Sequence, residues 1–319
     1  MAANGDRADA ARQLVRNIAQ QRGCLDETTL GTMSSEAKLL SATPFICLRV
    51  HPTHIVVDCN EDGFTRENLI AICNVGKSSK QGAQGYIGEK GIGFKSVFMV
   101  AWKAHIQSGD FSFSFQHRPG ESGMGMIFPV WEEIKGRLNP PLTRITLYLL
   151  EATSGEGLPR QHETTVQQFR ELEATILLFM KNLRRIEVSI YNSEKQVFSS
   201  TFTHQPGREA HRVELQQRVI DGRSTRQTSR HFHVATGKAH SLARSENRTY
   251  TDIELANKTY ATADVVLAFP LLPDLTPLIE VQDDFAFLPL RKVGFPSPRY
   301  YTLVVLQSPS TPCSRRGLC

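Results

Sequence analysis

Apolar and polar residues alternate along several short stretches of this chain, and that period of two marks strands. ICLRV (46–50) and HIVVD (54–58) flank His51-Pro-Thr-His54, which predicts a hairpin. FSFSFQ (111–116), TRITLYLL (143–150), RRIEVSIY (184–191) and VVLAFPL (265–271) predict further strands. Steps of three and four mark helices instead. Leu14, Val15 and Ile18 predict one over Asp9 to Gln21, with Gly23 as its stop. Thr65 is placed to cap another running through Cys73, with Leu69, Ile72 and Cys73 facing inward. FKSVFMVAW (94–102) reads as a helix, and Val166, Phe169, Leu172, Ile176, Phe179 and Leu183 predict a long one. The stretch Glu151 to Arg160 reads as a linker, and no repeat is evident.

Composition narrows the class. Hydrophobic residues are 40% and charged residues 22% of 319, with 22 Gly and 16 Pro, which excludes a disordered or collagen-like chain. No apolar run reaches the ~18 residues of a membrane helix and the first residues lack a secretory core, so an intracellular protein, cytoplasmic or nuclear, is expected. The six cysteines match neither zinc spacing nor a disulfide scaffold and read as reduced thiols. The net charge of +5 concentrates between His204 and Tyr250, where nine Lys/Arg face four acids. That stretch lacks interleaved aromatics and any helix-turn-helix or zinc pattern, so solvated strands and loops are expected there rather than a nucleic-acid surface.

The stretch Gly85-Tyr-Ile-Gly-Glu-Lys-Gly-Ile-Gly-Phe-Lys-Ser-Val-Phe98 carries the most chemistry. Its glycines permit close approach to a ligand, and the uncompensated N–H groups where it opens a helix favour phosphate. Lys90 and Lys95 add positive charge. A Walker loop is excluded because Phe94 separates Gly93 from Lys95-Ser96, and a dinucleotide fingerprint because the glycine order is reversed and no strand precedes it.

With these residues the chain resembles the ATP-binding fold of gyrase, heat-shock chaperones, histidine kinases and mismatch-repair ATPases (the GHKL superfamily), in its sacsin-like and NO VEIN-like branch. Asp58-Cys-Asn-Glu-Asp-Gly63-Phe64-Thr65 is similar to the acidic-glycine box whose carboxylate receives the adenine amino group. Asp58 fits with one inserted residue, whereas Asp62 directly precedes the glycine; either ionised carboxylate suits an amino donor, and Asp58 is the expected one because it ends the apolar strand HIVV. Ile87 to Phe98 resembles the lid at the phosphates, and Thr143-Arg-Ile-Thr-Leu-Tyr-Leu149 resembles the late strand whose Thr supports adenine through water. The resemblance implies ATP with magnesium as ligands and a nucleotide site comprising Asp58, Asp62, Gly63, Gly88, Lys90, Gly91, Gly93, Phe94, Lys95 and Thr143. It also implies the α/β class, a two-layer α/β sandwich followed by a β-rich α+β segment. The expected organisation is a helical segment at 1–43, the ATP-binding domain at 44–155, a helix plus β-rich segment at 156–295, and a disordered tail at 296–319.

One expected part is missing. The superfamily carries Glu-x-x-x-Asn on an earlier helix, the Glu as base on water and the Asn as magnesium ligand. Before Asp58 only Glu27 and Glu36 are candidates, and Gly31 and Leu40 stand where Asn is required. No catalytic residue is assigned and no metal ligand is found. The expectation is therefore nucleotide binding with impaired hydrolysis, within a larger assembly or with a protein client. The rivals are a non-catalytic interaction module that keeps the fold and a basic nucleic-acid-binding protein.

Overall fold

The computed structural model describes residues 43–60, 63–73, 94–118, 120–121, 128–134, 136, 138, 142–150, 157–180, 182–207, 209–243, 255–256, 261–278, 282–286, 288–293 and 303–307. The strands in chain order are β1 (Phe45–Val50), β2 (His54–Cys59), β3 (Ala101–Ser108), β4 (Phe111–Gln116), β5 (Val130–Trp131), β6 (Thr143–Leu149) and β7 (Arg185–Asn192). They continue as β8 (Lys195–Pro206), β9 (Arg212–Asp221), β10 (Ser224–Ala239), β11 (Ala263–Leu271), β12 (Gln282–Ala286), β13 (Leu288–Val293) and β14 (Leu303–Gln307). Helix α1 spans Arg66–Cys73 and α2 Gly157–Arg170; 3-10 turns occupy Phe94–Met99 and Ala174–Leu178.

All the strands join one 14-stranded sheet in the order β13-β12-β14-β11-β10-β9-β8-β7-β1-β2-β6-β3-β4-β5. The expected two-layer sandwich with a separate β-rich segment is therefore corrected to a single large mixed sheet with short helices. The join is β1 with β7, which run parallel from Phe45↔Arg185 to Val50↔Ile190. Strands from either side of the predicted linker thus share backbone hydrogen bonds, and the sheet passes through without a break.

Pairing and alternation give this sheet two unlike faces. Along β1, β2, β6, β3 and β4, the residues Leu48, Val57, Ile145, Ile106 and Phe113 fall in one cross-strand row. On this face Leu69 and Cys73 of α1 and Phe98 pack on Ala104, Ile106, Phe113 and Phe115. Further along, Ile176, Leu177 and Phe179 cover Val188, Phe202, Leu215 and Phe232. Leu147 packs against both groups, so the apolar layer is continuous. The opposite face carries Arg49, Asp58 and Arg144, as period-two alternation requires.

The hairpin at 45–59, helix α1 and the strands at 111–116, 143–149, 185–192 and 263–271 form where the pattern predicts. Two helices differ. Phe94–Met99 is a 3-10 turn and Ala101 already belongs to β3, because Ala101, Ala104 and Ile106 are wholly buried in the sheet. The long helix stops at Arg170 and resumes as a 3-10 turn after Glu173, whose ψ of 149° is extended. Ile176, Leu177, Leu178 and Phe179 are consecutive and all buried, which one face of an α-helix does not achieve. Within the stretch expected to be a tail, Leu303–Gln307 forms β14 against β11. The helix expected at Asp9 to Gln21 lies outside the described residues.

Candidate functional site

The end of β2 positions the acidic-glycine box. Val57 and Cys59 point to the helix-covered face, so Asp58 between them points to the other. There its carboxylate accepts hydrogen bonds from Arg144 Nε (2.7 Å), Arg144 Nη2 (2.9 Å) and Arg49 Nη2 (2.5 Å). Burial would raise the Asp58 pKa, but the bonds and charges of the two guanidinium groups outweigh it and hold the carboxyl below its ordinary value. The hydrogen bonds of Arg144 to Asp58, with the carboxylate's charge, push the Arg144 pKa up. Asp58 thus joins three strands, with both oxygens engaged. Asn60 is also structural here: its Oδ1 accepts from Phe45 N (2.7 Å) and its Nδ2 donates to Thr43 O (3.1 Å).

Gly63 has φ +91°, a conformation that side chains rarely adopt, and a Cβ there would lie 3.1 Å from Ser108 Oγ. The next residue donates from Phe64 N to that same Oγ at 2.9 Å, and Ser108 Oγ lies 2.6 Å from Thr143 Oγ1. Cys59, Thr143 and Ser108 face one another across β2, β6 and β3, and the last two are fully buried. Two hydroxyls hold two protons and one serves the bond between them.

Thr65 then opens α1. Its Oγ1 accepts from Asn68 N (3.3 Å) while Asn68 Oδ1 accepts from Thr65 N (2.9 Å), a reciprocal cap. At the other end Lys95 Nζ donates to Ile72 O (2.5 Å) and lies 5.0 Å from the centre of the Phe115 ring, so the end of the lid motif is docked on the last turn of α1. Phe94 packs edge-on against Phe115. The structure therefore brings together Gly63, Thr143, Phe94 and Lys95 around α1, and it corrects the expectation for Asp58, which alternation turns to the opposite face and two arginines engage. Asp62, Gly88, Lys90, Gly91 and Gly93 lie outside the described residues.

Part of this chain is similar to a known protein. Over 153 residues, 45% of the chain, it is 37% identical to Protein NO VEIN of Arabidopsis thaliana. That match spans 6% of the length of NO VEIN. No family model matches the chain. Two solved structures, the N-terminal domain of a DNA repair protein and the B-subunit of the DNA gyrase from Myxococcus xanthus, each align with 56% of the chain. They cover 62% and 56% of those chains, at TM-scores of 0.29 and 0.30 and identities of 10% and 11%.

Sequence reasoning missed Arg49, Arg144 and Ser108. For Arg144 a signal existed: it follows Thr143 in an alternating strand, so the two must face opposite ways. Ser108 had none, because its role depends on β3 lying beside β6. Among the described residues no group of three His, Cys, Asp or Glu could hold a metal ion, and no helix is long and apolar enough to cross a membrane.

Proposed function

We propose that the chain is a nucleotide-binding module of the chaperone-ATPase type with impaired turnover. The observation that carries this reading is the meeting of Gly63, Ser108 and Thr143 beneath α1, where hydrogen bonds through Ser108 join the acidic-glycine box to the late strand. Asp62, beside Gly63, takes the adenine amino group in this reading, since the carboxylate of Asp58 is engaged by two arginines. Gly88, Gly91 and Gly93 carry the phosphates, with Lys90 rather than Lys95 supplying charge, because Lys95 is docked at Ile72. Magnesium lacks its Asn ligand, which favours binding over turnover and keeps a non-catalytic interaction module as the second reading.

A titration with fluorescently labelled ATP, with and without magnesium, tests this. Saturable binding is expected in the parent chain and none in Gly93→Val. Turnover with magnesium should stay at the Gly93→Val level; a rate about a hundredfold higher, the low end of general-base help, would restore an active ATPase. Absence of any ATP binding in the folded parent chain leaves the interaction module.

A further inference from the structure

A hollow of about 510 Å³ opens on the helix-covered face where the chain leaves the Ala174–Leu178 turn, above β8, β10 and β11. Its size falls within the 300–1,000 Å³ common for small-molecule sites. Phe179, Val234 and Val266 form an apolar floor, and Arg184, His204 and Lys238 stand around it; no acidic residue is among the described residues lining it, and Asp264 is the cross-strand partner of Lys238 beside it. None of those residues belongs to β2, β3 or β6, so it is separate from the Gly63 turn.

The basic groups are held in place. His204 N donates to Arg184 O at 2.8 Å, which fixes these two residues side by side. Arg184 Nη1 donates to Met180 O (3.4 Å) and Leu183 O (3.0 Å), anchoring the guanidinium at the rim. Nδ1 of His204 is buried without a hydrogen-bond partner, an arrangement that costs free energy unless something supplies one. Burial, and then the charge of Arg184, push the His204 pKa down, so the pocket disfavours a further positive charge. A negative charge would reverse that penalty.

We propose that this hollow binds a small amphiphilic carboxylate, its head group among Arg184, His204 and Lys238 and its hydrocarbon against Phe179, Val234 and Val266. A carboxylate is drawn by charge to Arg184 and Lys238 and can accept from the His204 ring, and a single apolar chain suits a floor built from aliphatic and aromatic side chains.

Calorimetric titration of the full chain with decanoate, decan-1-ol and acetate tests the proposal. Decanoate is expected to bind one to one, decan-1-ol at least about tenfold more weakly, and acetate not measurably. Lys238→Glu, at an exposed strand position, should weaken decanoate about tenfold, and Thr236→Trp, which adds bulk at the mouth, should abolish it. The His204 imidazole, followed by NMR, should titrate at higher pH with decanoate bound. Equal binding of decan-1-ol, no binding of decanoate, or decanoate affinity unchanged in a folded Thr236→Trp would overturn it.

Discussion

Asp58 and Thr143 lie almost opposite each other on β2 and β6, yet they belong to different faces, and that separates their roles. Asp58 is a stability residue. Its side chain is 7% exposed, whereas those of Arg49 and Arg144 are 29% and 37% exposed. Removing a buried partner costs ~3–5 kcal/mol and a surface pair about 0–1, so solvent screening of the arginines places Asp58→Ala at about 2–3 kcal/mol. Urea unfolding should register that loss. The Asp62→Ala change should instead leave stability nearly intact and lower ATP affinity by roughly ten- to a hundredfold, about 1.5–3 kcal/mol. Equal, small effects on ATP affinity from both would remove the adenine role of this box. Ser108→Ala takes away the acceptor of Phe64 N and the partner of Thr143. It should cost ~1–3 kcal/mol and weaken ATP as well, and a stability loss with unchanged ATP affinity would make Ser108 purely structural.

The capped start of α1 was legible because its determinants are local: Thr65, Asn68 and the apolar positions behind them lie within one turn of each other. Thr65→Ala should cost about 1 kcal/mol, measured as a lower urea midpoint with an unchanged slope. Other elements depended on distant partners. Residues 94–102 carry enough apolar positions for a helix, but Ala101 pairs with Leu149 of β6, and that ladder ends the helical turn at Met99. The break after Arg170 has the same origin. A run of apolar residues suits a buried helix or a buried turn equally well, and the β8–β9 surface it must cover decides between them.

Across the whole molecule, the parallel β1–β7 pairing couples the early and late halves in one sheet, and titration of groups spread over that sheet sets its acid stability. Burial lowers the pKa of His54, His105 and His204 below the ordinary 6.5. For each, the unfolded chain takes up a proton first as the pH falls. Their contribution is therefore complete above about 6.5 and declines below it, towards the lowered folded values. Asp58 and Glu132 behave as acids whose burial is outweighed by hydrogen bonds, from Arg144 and Arg49 and from Lys103 and Ser114. Their stabilisation is present above 3.8 and 4.5 and is lost as the pH falls through those values towards the lower folded pKa. Unfolding free energies measured in urea at pH 7.5, 5.5 and 3 should fall in two stages. The first stage should shrink in His204→Phe, and stability constant from pH 7.5 to 5.5 would contradict the histidine contribution.

What the sequence by itself determined is whatever rests on neighbours a few residues away: the hairpin at His51 to His54, the period-two strands, the cap at Thr65 and the glycine content of residues 85–93. Alternation even divided Thr143 from Arg144. Beyond that hairpin, only the tertiary structure decided which strands meet, because strands distant in sequence have no connecting turn to set their pairing and share only the need to bury one face. That is why one 14-stranded sheet replaced a sandwich. For the same reason the carboxylate of Asp58 belongs to arginines across the strands, and Ser108 came to lie beneath the Gly63 turn.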